Sequence, residues 1–293
     1  MKAFSPVFAI LAGLFWGISG VFSNILHAYG LTSFQISGAR GIVASVFLIM
    51  TVLIFKRRAL FTDLKTLLLF IFGGLAIFGT STCYFTSMRY VGVSTAVVLM
   101  YTAPALVMAF SVIFLKEKLT PKKLMCLISM LLGCVLVSGI FSSGRFDPIG
   151  IIWGIASGIC YAAYNIIAKI EASRGKDSLN ASVYHFSVMG IAGIFLLDPP
   201  SFSKILSVSP LKISLLLIAV GLFTCVIPYM LFSLALKYLP VGTASALSIT
   251  EPLSATVIAI AFLGEKATLI SASGILMILI PCILLSLSKE ETK

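Results

Sequence analysis

Residues 89–120 and 237–268 are two copies of one segment set 148 positions apart. RYVGVSTAVVLMYTAPALVMAFSVIFLKEKLT aligns without a gap on KYLPVGTASALSITEPLSATVIAIAFLGEKAT, and twelve of the 32 residues are identical. The matches include Tyr90/Tyr238, Thr95/Thr243, Ala96/Ala244, Thr102/Thr250, Pro104/Pro252, Glu117/Glu265 and Lys118/Lys266. Both copies are apolar. A duplicated unit that crosses a bilayer an odd number of times sets its second copy upside down against its first, with an interface between them suited to a central site.

Composition says that the solvent is lipid. Hydrophobic residues make up 59% of the chain, charged residues 11%, and the mean hydropathy is +1.12. Soluble domains carry roughly 25% charged residues. The net charge of +11 would suit nucleic acid in a soluble protein. Here Lys and Arg collect in short loops beside apolar runs, so no nucleic-acid partner is expected, and anionic lipid is. All six cysteines, Cys83, Cys126, Cys134, Cys160, Cys225 and Cys282, lie in apolar stretches without a CxxC pair. They read as small buried apolar residues, with neither metal nor disulfide implied. Residues 1–29 have a charged start and a long apolar run with no small-residue cleavage site after it, which reads as a first membrane helix rather than a signal peptide.

A membrane helix needs about 20 apolar residues. Ten such spans fit, near 6–29, 34–55, 66–88, 93–115, 122–141, 149–169, 181–197, 213–236, 243–263 and 268–288. The expected fold is therefore an all-α membrane protein of ten transmembrane helices, built as two inverted five-helix repeats, 1–145 and 146–293. With both termini in the cytoplasm, fifteen Lys and Arg fall on that side, five on the other, and Arg40 inside a span. Gly13 and Gly17 in the first span, and Gly150, Gly154 and Gly158 in the sixth, lie at the four-residue spacing that lets membrane helices approach closely.

Polar residues inside the spans are the site candidates. Glu251 lies nine residues into the ninth span, roughly 13 Å deep. A carboxylate there is expensive unless paired, hydrated or protonated. It reads as a substrate ligand or a proton-coupling group, with a helix-to-helix hydrogen bond as the plain alternative. Pro252 follows it, and Pro104 holds the equivalent place; as a symmetric pair they read as hinges. Thr102 and Thr250, two residues earlier in each copy, are placed to serve the carbonyls that the prolines release. Arg40 lies about 10 Å into the second span. It either snorkels to the interface or faces a cavity, there to meet Glu251 or a substrate carboxylate. Trp16, Tyr84, Tyr101, Tyr161, Tyr164, Asn165 and Tyr229 set aromatic and amide groups deep in the first, third, fourth, sixth and eighth spans, as around a polar cavity. His185 reads as interfacial, His27 as a loop residue, and the Glu-Lys steps as interfacial ion pairs.

These residues resemble the EamA-like branch of the drug/metabolite transporter superfamily. The resemblance rests on Phe262-Leu263-Gly264-Glu265 and its weaker copy Phe114-Leu115-Lys116-Glu117, on Glu251-Pro252, on Trp16-Gly17 and on Arg40. Cys126 and Pro281 stand where the repeat would carry glycines. The resemblance implies ten helices around a cavity lined by the first, third, fourth, sixth, eighth and ninth. It also implies movement of a small metabolite, often outward. The expectation is a secondary transporter of the cytoplasmic membrane that works by alternating access, with an amino acid or related compound as substrate. Its partners are that solute, the bilayer and protons. No cofactor is expected, and with no P-loop ATP does not drive it directly. A multidrug or cation exporter of the same fold is the alternative. A membrane-embedded lipid-modifying enzyme fits less well, because the chain has two distant histidines.

Overall fold

A computed structural model describes residues 4–55, 63–114, 119–138, 147–196, 198–262 and 269–286. Helix is the only regular structure among them. In chain order the α-helices are α1 (Ser5–Gly17), α2 (Ser19–Ala28), α3 (Ser33–Phe55), α4 (Leu64–Met100), α5 (Thr102–Phe114), α6 (Pro121–Ser138) and α7 (Pro148–Ser173). They continue as α8 (Ser178–Leu196), α9 (Pro199–Val208), α10 (Pro210–Gly221), α11 (Ile227–Leu236), α12 (Val241–Leu247), α13 (Thr250–Phe262) and α14 (Leu269–Ser286). A π-helical turn, Leu222–Val226, joins α10 to α11.

Six spans are long and apolar enough to cross a bilayer: Ser5–Ala28, Ser33–Ile54, Leu64–Gly92, Thr95–Phe114, Pro148–Ser173 and Pro210–Leu236. A seventh arises if Leu179–Phe195 and Pro199–Val208, bent by 100°, count as one. The other expected spans fall on α6 and α14, of 18 residues each, and on α12 with α13, which is interrupted at Ser248 and Ile249. The chain is a multi-pass membrane protein, and its surface agrees. Phe72, Ile152 and Phe195 are 60%, 66% and 83% exposed, while Ser23, Ser37, Ser87, Ser157 and Thr224 are buried. Lipid, not water, is the medium in which such an outside is stable.

Local chemistry sets the ends. Asp63 caps α4 by accepting from Thr66 N at 3.1 Å. The hydrogen bonds from the Thr66 hydroxyl and amide hold its carboxyl well below the usual carboxylate range. Asp147 caps α7 the same way, accepting from Ile149 N at 2.8 Å. Thr32 and Gln35 form a reciprocal capping box at the start of α3, at 2.9 and 3.2 Å. Within α4, Gly92 has φ 83° and ψ 165°, a conformation open almost only to glycine, and it breaks the helix in two.

Close packing follows the glycines. On α1, Gly13 abuts Thr250 and the Ser248 carbonyl, and Gly17 abuts Ser254 and the Glu251 carbonyl. On α7, Gly154 abuts Leu99 and Ser87, and Gly158 abuts Thr102 and the Met100 carbonyl. Gly38 and Gly41 of α3 meet Gly193 and Gly190 of α8. Gly133 of α6 meets the Gly274 carbonyl of α14. Bare backbones permit cross-helix bonds that side chains would block. Thr250 Oγ1 donates to Ile10 O at 3.0 Å, Ser254 Oγ to Leu14 O at 2.7 Å, and Ser87 Oγ to Gly150 O at 2.7 Å.

Candidate functional site

Two helices break at equivalent places. Tyr101 separates α4 from α5, and Ser248 with Ile249 separates α12 from α13. Each new helix starts at a threonine, Thr102 or Thr250. Pro104 and Pro252 therefore sit in a first turn, where a missing N–H is harmless. The sequence expectation of a kink within a continuous helix becomes a full break just before each proline. The threonine hydroxyls do not serve the carbonyls four residues before the prolines. Thr102 Oγ1 donates to Leu99 O at 2.9 Å, and Thr250 Oγ1 reaches Leu247 O at 3.2 Å. The Ser248 carbonyl, which Pro252 cannot use, accepts from Glu251 N at 3.2 Å and lies 3.3 Å from Tyr101 Oη.

Beside the breaks lies a cavity of about 40 Å3 lined by Trp16, Ser19, Arg40, Thr80, Ser81, Tyr84, Met100, Tyr161, Tyr229 and Glu251. Glu251 is 4% exposed, and Tyr101 Oη donates to its Oε2 at 2.8 Å. Beside it, Ser248 Oγ donates to Ser245 O at 2.7 Å, so the hydroxyl 3.2 Å away on Tyr161 is the donor to Ser248. Asn165 Nδ2 donates to Ser245 Oγ at 3.0 Å. Trp16 stands edge-on to Tyr161 and Tyr229, with ring centroids 5.9 and 5.1 Å away. Its indole Nε1 is buried with no hydrogen-bond partner.

Arg40 does not snorkel. It is 4% exposed and donates from Nε to Cys225 Sγ at 3.3 Å and from Nη2 to Thr224 O at 3.4 Å, with its guanidinium 5.2 Å from the Phe85 ring centroid. Local sequence makes the Thr224 carbonyl available, because Pro228 has no N–H to return four residues back, and the chain there winds into a π turn. These contacts are thin. A sulfur acceptor and a bond near the distance limit fall short of the about 1.5–3 kcal/mol typical of a good charged hydrogen bond. The ring adds about 1 kcal/mol. Removing a charged group from water costs several kcal/mol. Arg40 and Glu251 line one cavity without pairing directly, so the protein leaves the guanidinium undercompensated there.

Of the residues expected from sequence, Glu251, Arg40, Trp16, Tyr84, Tyr161 and Tyr229 line the cavity, and Tyr101 holds Glu251 from behind. Tyr164, Asn165, Thr102 and Thr250 lie in the packing around it. Ser19, Thr80, Ser81 and Met100 were missed. The hydroxyl run Thr80-Ser81-Thr82 inside an apolar span was the signal for two of them. His185 is not interfacial: it is 2% exposed, and its Nε2 lies 2.9 Å from Oε1 of Glu171. Glu171, 4% exposed, is a second buried acid that sequence reading missed. His27 lies in the last turn of α2, not in a loop. Of the two motifs, Leu115-Lys116-Glu117-Lys118 and Leu263-Gly264-Glu265-Lys266 lie outside the described residues.

Comparison with known proteins bears on this geometry. A model of the EamA-like transporter family matches the chain twice, over residues 4–139 and 148–287. An uncharacterized transporter of Archaeoglobus fulgidus is 32% identical over 208 residues, covering 70% of this chain and 72% of that one. The uncharacterized transporter YwfM of Bacillus subtilis is 24% identical over 98% of this chain and 95% of its own. A solved crystal structure shares the fold, with a TM-score of 0.77 at 16% identity over 98% of this chain and 99% of that one.

Proposed function

The chain belongs to the EamA-like transporter family, and from that premise we propose a secondary transporter that moves a small zwitterionic metabolite, an amino acid or a close relative, by alternating access. The carrying observation is the cavity itself, in which Arg40 and Glu251 face one small space walled by Trp16, Tyr161 and Tyr229. A carboxylate meets Arg40, an ammonium meets Glu251 and the aromatic faces, and the free indole N–H of Trp16 finds an acceptor.

The aromatic wall around an acid would also suit a simple cation, as in a multidrug exporter. Arg40 argues against it. Cation–π attraction of about 0.5–2 kcal/mol does not offset a buried guanidinium in the same cavity, whereas a ligand carboxylate turns that liability into a bond.

The cavity, about 40 Å3, has room for about three or four waters at roughly 10–15 Å3 each. Known small-molecule sites span about 300–1,000 Å3. This conformation is accordingly the closed one, and a solute enters when the broken helices part. Two inverted five-helix units, 1–145 and 146–293, explain how. Helix α1 packs on α11 and α13, and its counterpart α7 packs on α4 and α5. Ser129 Oγ donates to Met277 O, 148 positions on, at 3.1 Å, and Gly41 meets Gly190, 149 positions on. A residue meets its own repeat partner only beside a two-fold axis. The α1–α13 and α7–α5 contacts then exchange as the halves rock. Ten crossings, both termini in the cytoplasm, the inner membrane as location and export as direction complete the proposal. They follow from the lysine and arginine distribution and the family resemblance.

Purified protein in proteoliposomes should take up or release radiolabelled amino acids, and a pH gradient should change the rate if Glu251 carries the coupling proton. Glu251→Gln should abolish or uncouple transport in a folded protein. Full, gradient-dependent transport by that variant would remove Glu251 from the mechanism.

A further inference from the structure

The Arg40–Glu251 cavity holds more hydrogen-bonding capacity than its two charges. Some of its polar groups are already committed within the protein. Thr80 Oγ1 donates to Ala76 O at 2.8 Å, and Tyr161 donates to Ser248 at 3.2 Å. Four others are not. Ser19, Ser81, Tyr84 and Tyr229 line the cavity, each 5% exposed, and their hydroxyls have no hydrogen-bond partner among the described residues. None of the four is sealed off, as the unpartnered hydroxyl of Thr82 is. Arg40 and Glu251 act on both phenols through space, with no hydrogen bond to either.

Three elements bring these hydroxyls together. Ser19 opens α2, just past the junction with α1 at Ile18. Ser81 and Tyr84 stand three residues apart, on one face of α4, and Tyr229 comes from α11. A zwitterion does not use all four. Arg40 commits two of its five N–H groups, to Cys225 and Thr224, so three remain for a carboxylate. Glu251 takes the Tyr101 proton on Oε2, and its Oε1 is open to one N–H of an ammonium. The other two ammonium N–H groups occupy two hydroxyls, and two hydroxyls are left over. An aliphatic side chain set against them would bury them unpaired, which folded proteins avoid. A charged side chain would find no counterion, because Arg40 and Glu251 are the charged residues of the lining and the head group uses both.

We propose that Ser19, Ser81, Tyr84 and Tyr229 form a subsite for the solute's side chain, and that the side chain it takes is uncharged and hydrogen-bonding, an alcohol or a carboxamide. This subsite rests on the zwitterion proposed above and narrows it. The hydroxyls that face water in the empty cavity face the solute's own polar group in the loaded one.

Uptake of radiolabelled solutes by the full chain in proteoliposomes, measured in near-isosteric pairs, tests the subsite. L-Threonine against L-valine, and L-asparagine against L-leucine, exchange a hydrogen-bonding group for methyl groups at nearly constant volume. The polar member of each pair should be carried at least tenfold more efficiently, as kcat/KM, because a site built to hydrogen-bond a substrate rejects the analogue that cannot. Ser19→Ala, Ser81→Ala and Tyr84→Phe should each shrink the threonine-to-valine ratio, and the Ser19→Ala, Ser81→Ala double variant should bring it near one. Both rates come from one preparation, so the folded fraction cancels from the ratio. Tyr84→Phe keeps the ring and reads the same ratio if a serine variant does not fold. Equal efficiencies within both pairs, or a polar preference that survives every substitution, would overturn the subsite and leave the zwitterion reading standing. Transport of other amino acids but none of these four would do the same. No transport of any amino acid would overturn both.

Discussion

Tyr101 Oη lies 2.8 Å from Glu251 Oε2, and the bond joins the two places where a membrane helix stops and restarts. One residue belongs to the break between α4 and α5 and the other to the first turn of α13. The same hydroxyl, whose one proton goes to the carboxylate, lies 3.3 Å from the Ser248 carbonyl at the opposite break. In the alternating access proposed above, the acid is thereby held by the half of the molecule that would have to move away from it.

Tyr101→Phe should lower thermal stability in detergent by about 1.5–3 kcal/mol, the range for a hydrogen bond to a charged group. In a double-mutant cycle with Glu251→Leu the two effects should not add, because each removes the same contact. Additive losses would show that the bond does not hold the breaks together.

Arg40→Gln should separate stability from activity. Removing an undercompensated buried charge should leave the melting temperature equal or higher, while amino-acid transport falls at least tenfold. Arg40→Lys should not restore it, because an ammonium cannot present a planar fork to a carboxylate. A large drop in melting temperature for Arg40→Gln would mean that the guanidinium is structural.

Gly13 and Gly92 should fail for different reasons. At Gly13 a side chain meets Thr250 and the Ser248 backbone, so the loss should grow from Ala to Val, reaching about 3 kcal/mol. At Gly92 nothing lies within 4 Å of an added Cβ. Its cost is conformational, about 1–3 kcal/mol, and should be nearly the same for Ala and Leu. Thermal unfolding of the four variants checks the contrast.

Glu171→Leu should destabilise more than the double variant Glu171→Leu, His185→Phe. The single change leaves a buried imidazole beside Tyr164 and Phe70 without its carboxylate, at about 1–3 kcal/mol for an unsatisfied polar group. The double change replaces both partners with apolar groups. Equal melting temperatures for the two would show that the pair contributes nothing.

Much of this protein was legible from residue order. Lipid residence follows from composition, because apolar side chains that outnumber any possible core must face something other than water. The paired prolines, the glycine stripes on α1 and α7 and the depth of Glu251 were readable because the repeat and the helical period fix spacing along the chain. Six of the cavity-lining side chains were named on that basis. What could not be read was anything set by where two helices cross. Arg40 had two open orientations until a π turn, some 185 positions later, supplied its acceptors. Glu171 lies just past the end of the expected sixth span, and only the tertiary structure, in which α8 packs on α4, buries it beside His185. Tyr101 was one tyrosine among several until the helix breaks faced each other and made it the donor to Glu251. Spacing along one helix is local and is written in the sequence. A contact across helices depends on crossing angle and rotation, which many weak packing terms decide together, and only the folded structure adds them up.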